Sequence, residues 1–169
     1  MLPSLKTILY ATDLGRHAPR VLRYALSLAR SYGGGIEVVH VVEPLGAAAR
    51  HMVELYTGQG GLEDVEKSRW PELERSLRER LQSLCEAEGC TGGAGCGAIL
   101  GMHILPGRPD EVILREAARK SPDVIVMGSH GHSTVGEILL GSTAHRVSQR
   151  ATVPVLLVRT DEIDTGGGL

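Results

Sequence analysis

The chain has 169 residues, of which 42% are hydrophobic and 22% charged, the composition of an ordinary globular protein with a substantial core. A net charge of −2 argues against a nucleic-acid surface, which needs a basic face and usually aromatic side chains, and the sequence has one Trp and no Phe. No apolar run approaches the roughly 20 residues that span a bilayer, and no signal-peptide core precedes the first strand. We therefore expect a cytoplasmic protein without a membrane or nucleic-acid partner, with one domain over residues 1–160 and a flexible tail over 161–169.

Strands and helices alternate along the chain. Apolar runs predict five strands, over residues 6–11, 36–42, 98–105, 123–127 and, last, from Val153 to Arg159. Amphipathic segments between them predict helices over residues 18–31, 68–88, 110–120 and 142–150. Pro71 is expected in the first turn of the second helix, where proline is tolerated. Residues 43–67 give no clear pattern apart from a short helix around 47–56, and residues 89–97 predict a glycine-rich loop.

This alternation predicts an α/β fold with a parallel sheet. Because crossover connections are right-handed, the natural arrangement is a Rossmann-like five-stranded parallel sheet in the order 3-2-1-4-5, with helices on both faces. In that order the direction in which strands are added reverses between strands 1 and 4. Ligands bind outside the carboxyl ends of the strands at such a reversal, so we expect a site between the loops that follow these two strands.

The glycine-rich segment after the fourth strand is the strongest functional signal in the chain. It reads GSHGHSTVGEILLGST, in which Gly128 and Gly131 lie three residues apart and Gly141 follows ten residues later. Small residues just past a strand allow backbone N–H groups to close around an anion, usually a phosphate. Ser142 and Thr143 open the last helix, where Ser142 is expected to be the capping residue and the helix terminus also favours an anion.

Other residues near the predicted reversal suit a nucleotide. Asp13, in the turn after the first strand, could accept hydrogen bonds from ribose hydroxyls, with capping of the first helix as its alternative role. Val41, at the end of the second strand, could offer backbone atoms to an adenine edge, or be part of the core only. His130 and His132 flank Gly131; we expect them to be loop residues with a weak preference for anions, because no partner acid for catalysis is evident.

The motifs of phosphoryl-transfer enzymes are absent. The sequence has no P-loop G-x4-G-K-[S/T], no G-x-G-x-x-G fingerprint and no G-x-S-x-G elbow. No Lys or Arg lies between Gly128 and Ser142, and only Asp13 and Glu137 are expected to supply carboxylates near the site. Fast phosphoryl transfer needs a positioned metal, a cation and a base. The site is therefore expected to hold a nucleotide rather than to cleave it, and we assign no catalytic residue.

The three cysteines carry no clear chemistry. Cys85, Cys90 and Cys96 all lie within one short region. An odd count does not make a disulfide framework, and their spacing does not match the short paired spacing of structural zinc sites. We expect buried or loop thiols and no metal site built from protein side chains.

Five segments, in order, resemble the universal stress protein family. The spacing G-x2-G-x9-G-[S/T], realised as Gly128, Gly131, Gly141 and Ser142, is similar to that family's ATP-binding motif. The opening ILYATD, at residues 8–13, resembles the family's first strand and acidic turn, and HVV, at residues 40–42, resembles the end of its second strand. PGRP, at residues 106–109, resembles the family's G-x-P turn, and PVLLV, at residues 154–158, resembles its last strand. The resemblance covers nearly the whole chain, although the glycine-rich loop over 89–97 and the irregular stretch over 43–67 depart from the family pattern.

The resemblance implies a Rossmann-like fold that binds ATP, with Mg²⁺ as the companion ion. Together with the loop residue His130, the candidate ATP-binding residues are Ala11, Thr12, Asp13, Val41, Met127, Gly128, Gly131, Gly141, Ser142 and Thr143. The resemblance also implies homodimers joined by antiparallel pairing of the last strand, from Val153 to Arg159. Such pairing would cover an otherwise exposed apolar edge.

Three functions stay open at this point. The first is an ATP-binding regulatory dimer of the stress response, with slow hydrolysis at most and an unknown regulatory protein partner. The second is an ATPase or phosphotransferase that uses His130 or His132. The third is a partner-binding scaffold whose glycine-rich loop no longer binds a nucleotide.

Overall fold

The computed structural model describes residues 3–46, 50–52, 55, 61–89, 98–130 and 140–159, with the backbone alone at 61–66 and 98. The strands and helices in chain order are β1 (Thr7–Thr12), α1 (Ala18–Tyr32), β2 (Gly35–Val42), α2 (Gly61–Ala87), β3 (Ala98–Pro106), α3 (Pro109–Lys120), β4 (Val124–Gly128), α4 (Ser142–Arg150) and β5 (Val155–Val158). The strands form one parallel sheet in the order β3-β2-β1-β4-β5. The predicted α/β fold and strand order are confirmed.

Alternate residues of the central strands pack on opposite faces of the sheet. Ile8 and Tyr10 of β1 belong to a core cluster with residues of α1 and α2, whereas Leu9 and Ala11 belong to a second cluster with residues of α3 and α4. Ile8, Leu9 and Tyr10 are fully buried. This period of two, with apolar residues on both faces, is typical of a parallel strand covered by helices on each side.

Glycine ends α1 as its position in the sequence suggests. Gly33 has a φ of +59°, and its backbone N–H donates to the Arg30 carbonyl, while the Gly34 N–H donates to the Ala29 carbonyl. A residue without Cβ adopts this left-handed conformation at little cost. The chain then enters β2 directly, with the Gly35 N–H donating to the Lys6 carbonyl.

Two elements, α2 and β5, differ from the prediction by more than one residue at an end. The second helix begins at Gly61 rather than at residue 68, so Pro71 lies inside it rather than in its first turn. The prediction followed the apolar stripe, but residues of high helix propensity, such as Glu63 and Lys67, precede that stripe and favour an earlier start. The last strand is also shorter than predicted, because β5 spans only Val155–Val158. Residues 50–52 and 55 are helical; the rest of the short helix expected around 47–56, residues 90–97 of the expected loop and the tail over 161–169 lie outside the described residues.

A charged cluster ties the end of α3 to the sheet. The Glu37 carboxylate on β2 lies 2.7 Å from His103 Nε2 on β3 and 3.0 Å from Lys120 Nζ. Burial opposes ionisation of Glu37, but hydrogen bonds from His103 and Lys120 outweigh it and hold the pKa of Glu37 below its ordinary value. Gly101 leaves the space for this contact, because a Cβ there would lie 2.6 Å from the Glu37 carboxylate.

A buried hydrogen bond attaches the start of α1 to β1. The Tyr10 hydroxyl donates to the Ala18 carbonyl at 2.9 Å. Burial raises the pKa of Tyr10, so the phenol stays protonated and remains a donor. The carboxyl end of β1 and the first turn of α1 are thereby held together.

Tyr10→Phe removes this donor while keeping the ring, so we expect the free energy of unfolding to fall by about 1 kcal/mol. The matched control is Tyr24→Phe on α1, because Tyr24 is 48% exposed. Urea denaturation of the two variants beside the wild type measures the difference. Equal stability losses in both variants would contradict a structural role for the buried hydroxyl.

Candidate functional site

A cleft of about 350 Å³ opens where the strand order reverses, at the carboxyl ends of β1 and β4. Its volume falls at the lower end of the roughly 300–1,000 Å³ that small-molecule sites occupy. Ten of the residues selected from the sequence line it: Ala11, Thr12, Asp13, Val41, Met127, Gly128, His130, Gly141, Ser142 and Thr143. Gly131, together with His132 and Glu137, lies outside the described residues.

The turn after β1 is closed by its own side chains. Thr12 Oγ1 accepts a hydrogen bond from the Leu14 N–H at 3.1 Å, and Asp13 Oδ1 accepts one from the Gly15 N–H at 2.9 Å. Leu14 has a φ of +57°, a left-handed conformation that is uncommon for a residue with a side chain. Asp13 does not cap α1, because His17 is the N-cap residue and makes no side-chain cap. The exposed Asp13 carboxylate thus lies at the cleft.

The end of β2 contributes more of the cleft than the sequence indicated. Val41 lines it as expected, but so do His40 and Glu43. His40 is only 8% exposed, and its Nδ1 lies 2.9 Å from the Thr12 carbonyl oxygen. The sequence analysis selected neither His40 nor Glu43 as a site residue, although an acidic residue just past a strand end was a usable signal.

The residue that follows β4, Ser129, and the residue that precedes α4, Gly141, lie next to each other at the cleft. The Ser129 N–H donates to the Val158 carbonyl of β5, and the Ser129 carbonyl accepts from the Gly141 N–H, both at 2.8 Å. These bonds place Gly128 and the start of α4 side by side around the cleft. His130 also lines the cleft, and its Nδ1 lies 3.1 Å from Ser129 Oγ.

The prediction that Ser142 caps the last helix is wrong. Gly141 is the N-cap residue, with extended backbone and no side-chain cap, so Ser142 is the first residue of α4. The first intrahelical bond among these residues runs from the His145 N–H to the Gly141 carbonyl. The N–H groups of Ser142, Thr143 and Ala144 therefore have no partner within the helix, and all three residues line the cleft. Such a helix terminus favours an anion.

The ionisable side chains among the described residues that line the cleft include carboxylates and histidines. The described lining residues include the carboxylates of Asp13 and Glu43 and no Lys or Arg. Arg146 and Arg150 of α4 instead lie 3.7 and 3.8 Å from the carboxylate of Asp110, which is almost fully buried at the start of α3. An anion in the cleft would therefore meet backbone amides first.

The described residues contain no group of three or more His, Cys, Asp or Glu that could hold a metal ion. Cys85 is a buried thiol in the core between α1 and α2, as expected for it, while Cys90 and Cys96 lie outside the described residues. No helix in the described part of the chain is long and apolar enough to cross a membrane.

Two solved structures share this fold. That of the hypothetical protein MJ0577 superimposes with a TM-score of 0.73 at 24% identity, over 94% of this chain and 99% of the other. A universal stress protein in complex with cAMP gives a TM-score of 0.58 at 20% identity, over 94% of this chain and 100% of the other. At these identities the likeness concerns the fold alone.

Comparison of the sequence with known proteins gives the family. A universal stress protein of Thermus aquaticus, named for its position in the 3′ region of QAH/OAS sulfhydrylase, is 39% identical over 154 residues, which are 91% of this chain and 98% of the relative. Universal stress protein MJ0577 of Methanocaldococcus jannaschii is 29% identical over 91% of this chain and 94% of its own length. The model of the universal stress protein family matches residues 4–159. The chain belongs to the universal stress protein family.

Proposed function

We propose that this chain is an ATP-binding universal stress protein, a homodimer with a regulatory role and slow or no ATP hydrolysis. The observation that carries the proposal is the cleft at the strand reversal, where the first-turn amides of α4 and the acidic turn after β1 face one cavity. A solved universal stress protein that holds cAMP supports a nucleotide as the class of ligand.

The cleft offers a partner for each part of ATP. The amides at Gly128 and in the first turn of α4 would bind phosphate oxygens, as helix termini do. The carboxylate of Asp13 would accept hydrogen bonds from the ribose hydroxyls, and Val41 would present backbone atoms to the adenine edge. Ala11 and Met127, both buried in the core cluster on the α3 and α4 side, form an apolar floor.

The same lining disfavours fast hydrolysis. Phosphoryl transfer needs a cation on the transferred phosphate and a base aimed at the attacking oxygen. No Lys or Arg is among the described residues of the cleft, and the nearby guanidinium groups of α4 face Asp110. His130 is the described residue that could carry an alternative ATPase or phosphotransferase activity, and multiple turnovers that a His130→Ala variant loses would establish it.

Removing Mg²⁺ should weaken ATP binding, because the triphosphate would bring its full negative charge beside Asp13 and Glu43 without a compensating cation. We expect the Kd for ATP to rise about tenfold when EDTA replaces Mg²⁺, with a smaller change for AMP, whose single phosphate carries less charge. Calorimetric titrations with both nucleotides measure this. The same Kd for ATP with and without Mg²⁺ would show that protein groups alone neutralise the phosphates.

A substitution that blocks the cleft should distinguish an ATP-binding protein from a scaffold whose glycine-rich loop binds no nucleotide. In G128V a branched side chain occupies the space that a phosphate would need against the backbone, and we expect the Kd for Mg-ATP to rise about tenfold or more. The control is G46V, because Gly46 is exposed away from the cleft and a Cβ there meets no atom within 4 Å. Melting temperature with and without Mg-ATP reports binding. Equal ligand-dependent shifts in the wild type and G128V would contradict binding in this cleft.

The two edges of the sheet support a dimer through β5. At the β3 edge, Leu100 is an extra residue in the register between β2 and β3, and Arg78 of α2 donates to the Met102 carbonyl. A bulge and a covering side chain both protect an edge from pairing with another chain. The opposite edge is the short apolar strand Val155–Val158, and pairing with a second copy would cover it.

The dimer proposal predicts a specific effect of proline in β5. The Pro154 and Val158 carbonyls accept hydrogen bonds from β4, so the alternate residues Val155 and Leu157 direct their N–H groups to the open edge. L157P removes one of these donors, and L157A removes the same packing but keeps the donor. We expect L157P to raise the dimer dissociation constant about tenfold above that of L157A, measured by analytical ultracentrifugation. Equal constants would place the dimer contact elsewhere.

A further inference from the structure

We propose that His40 is a positioning residue of the nucleotide site, whose imidazole holds the acidic turn after β1 in the shape that binds ATP. The inference rests on the proposed ATP-binding function and adds to it a residue that the sequence motif does not contain. It predicts that the Nδ1 position of His40, rather than the mere presence of a buried ring, sets the affinity for ATP.

The contact itself is short and buried. His40 lies on β2 and is 8% exposed, and its Nδ1 lies 2.9 Å from the Thr12 carbonyl oxygen. A carbonyl oxygen can only accept a hydrogen bond, so Nδ1 carries the proton and donates. His40 and Thr12 are also opposite each other in the register of β2 and β1, and this pair is the last one of that ladder.

The position of the hydrogen bond between His40 and the Thr12 carbonyl explains how its loss would weaken ATP binding. Pairing between β1 and β4 ends at Ala11, so the Thr12 carbonyl is where the chain leaves the sheet. The bonds to the Leu14 and Gly15 amides close the turn on itself but do not attach it to another element. The backbone pairing of Thr12 with β2 already holds the start of the turn, and the bond from the His40 side chain adds a second attachment at the Thr12 carbonyl.

The turn also needs this support. Leu14 has a φ of +57°, which a residue with a side chain keeps only where its surroundings enforce it. Arg80 of α2 approaches the Leu14 carbonyl from the exposed side, at 3.4 Å, which is a weaker contact than the one from His40. Between these two contacts lies Asp13, the carboxylate that we assign to the ribose.

Three substitutions at position 40 separate positioning from simple packing. In asparagine the amide nitrogen is three bonds from Cα, as Nδ1 is in histidine, so H40N can still donate to the Thr12 carbonyl. In glutamine it is four bonds away, as Nε2 is, so H40Q keeps a polar side chain but misplaces the donor. H40L fills the space and has no donor. H103L is the control, because His103 is a partly buried, hydrogen-bonded histidine of β3 that does not line the cleft.

The first measurement is the Kd for Mg-ATP of each variant, determined by calorimetry. We expect H40L and H40Q to raise the Kd about tenfold and H40N to stay within about threefold of the wild type, as expected for one hydrogen bond. H103L should lower the melting temperature and leave the Kd unchanged. Equal Kd values for H40N and H40Q, or wild-type affinity in H40L, would overturn the proposal.

The second measurement, which does not depend on ATP, is the amide hydrogen exchange of the turn in the ligand-free protein. We expect the Leu14 and Gly15 amides to be protected in the wild type and H40N and to exchange faster in H40L and H40Q. Unchanged protection in H40L would overturn the positioning role. A wild-type protein that binds no ATP would instead refute the proposed function, and the exchange pattern would still decide whether His40 holds the turn.

Discussion

The parallel pairing of β1 with β4 is the constraint on which the rest of the structure depends. Ile8 to Ala11 lie opposite Val124 to Met127, and both strands are buried on both faces. Right-handed crossovers then take α1 and α2 to one face and α3 and α4 to the other, as the two core clusters show. The chain consequently leads from β1 to a helix on one face and from β4 to a helix on the other face, and the cleft lies between these two connections.

In the proposed function the cleft binds an anion through the backbone rather than through side-chain cations. Gly141 as N-cap leaves three amides of α4 facing the cavity, whereas Arg146 and Arg150 face the buried Asp110. Binding through amides depends on where the main chain runs. If the proposal holds, glycine spacing carries the functional signal in this sequence for that reason, and contacts that fix the main chain, such as the proposed one from His40 to Thr12, affect binding without touching a phosphate.

Most of the fold could be predicted because it follows from periodicity, whereas parts of the site depend on contacts between distant residues. Apolar runs broken by amphipathic segments suffice for strand order, and ten selected residues do line the cleft. The role of His40 depends on a carbonyl 28 positions earlier in the chain, which no local pattern encodes. The misplaced cap at Ser142 and the late start assigned to α2 have a common cause: helix ends are fixed by backbone geometry and propensity within one or two turns, which composition describes poorly.

The most direct test of ATP binding at the strand reversal is a calorimetric titration of nucleotide-free protein with Mg-ATP, repeated with G128V. We expect saturable binding of one ATP per chain in the wild type and a Kd that is about tenfold higher or more in the variant. Absence of saturable binding in the wild type, or the same binding in G128V, would contradict a nucleotide site in this cleft.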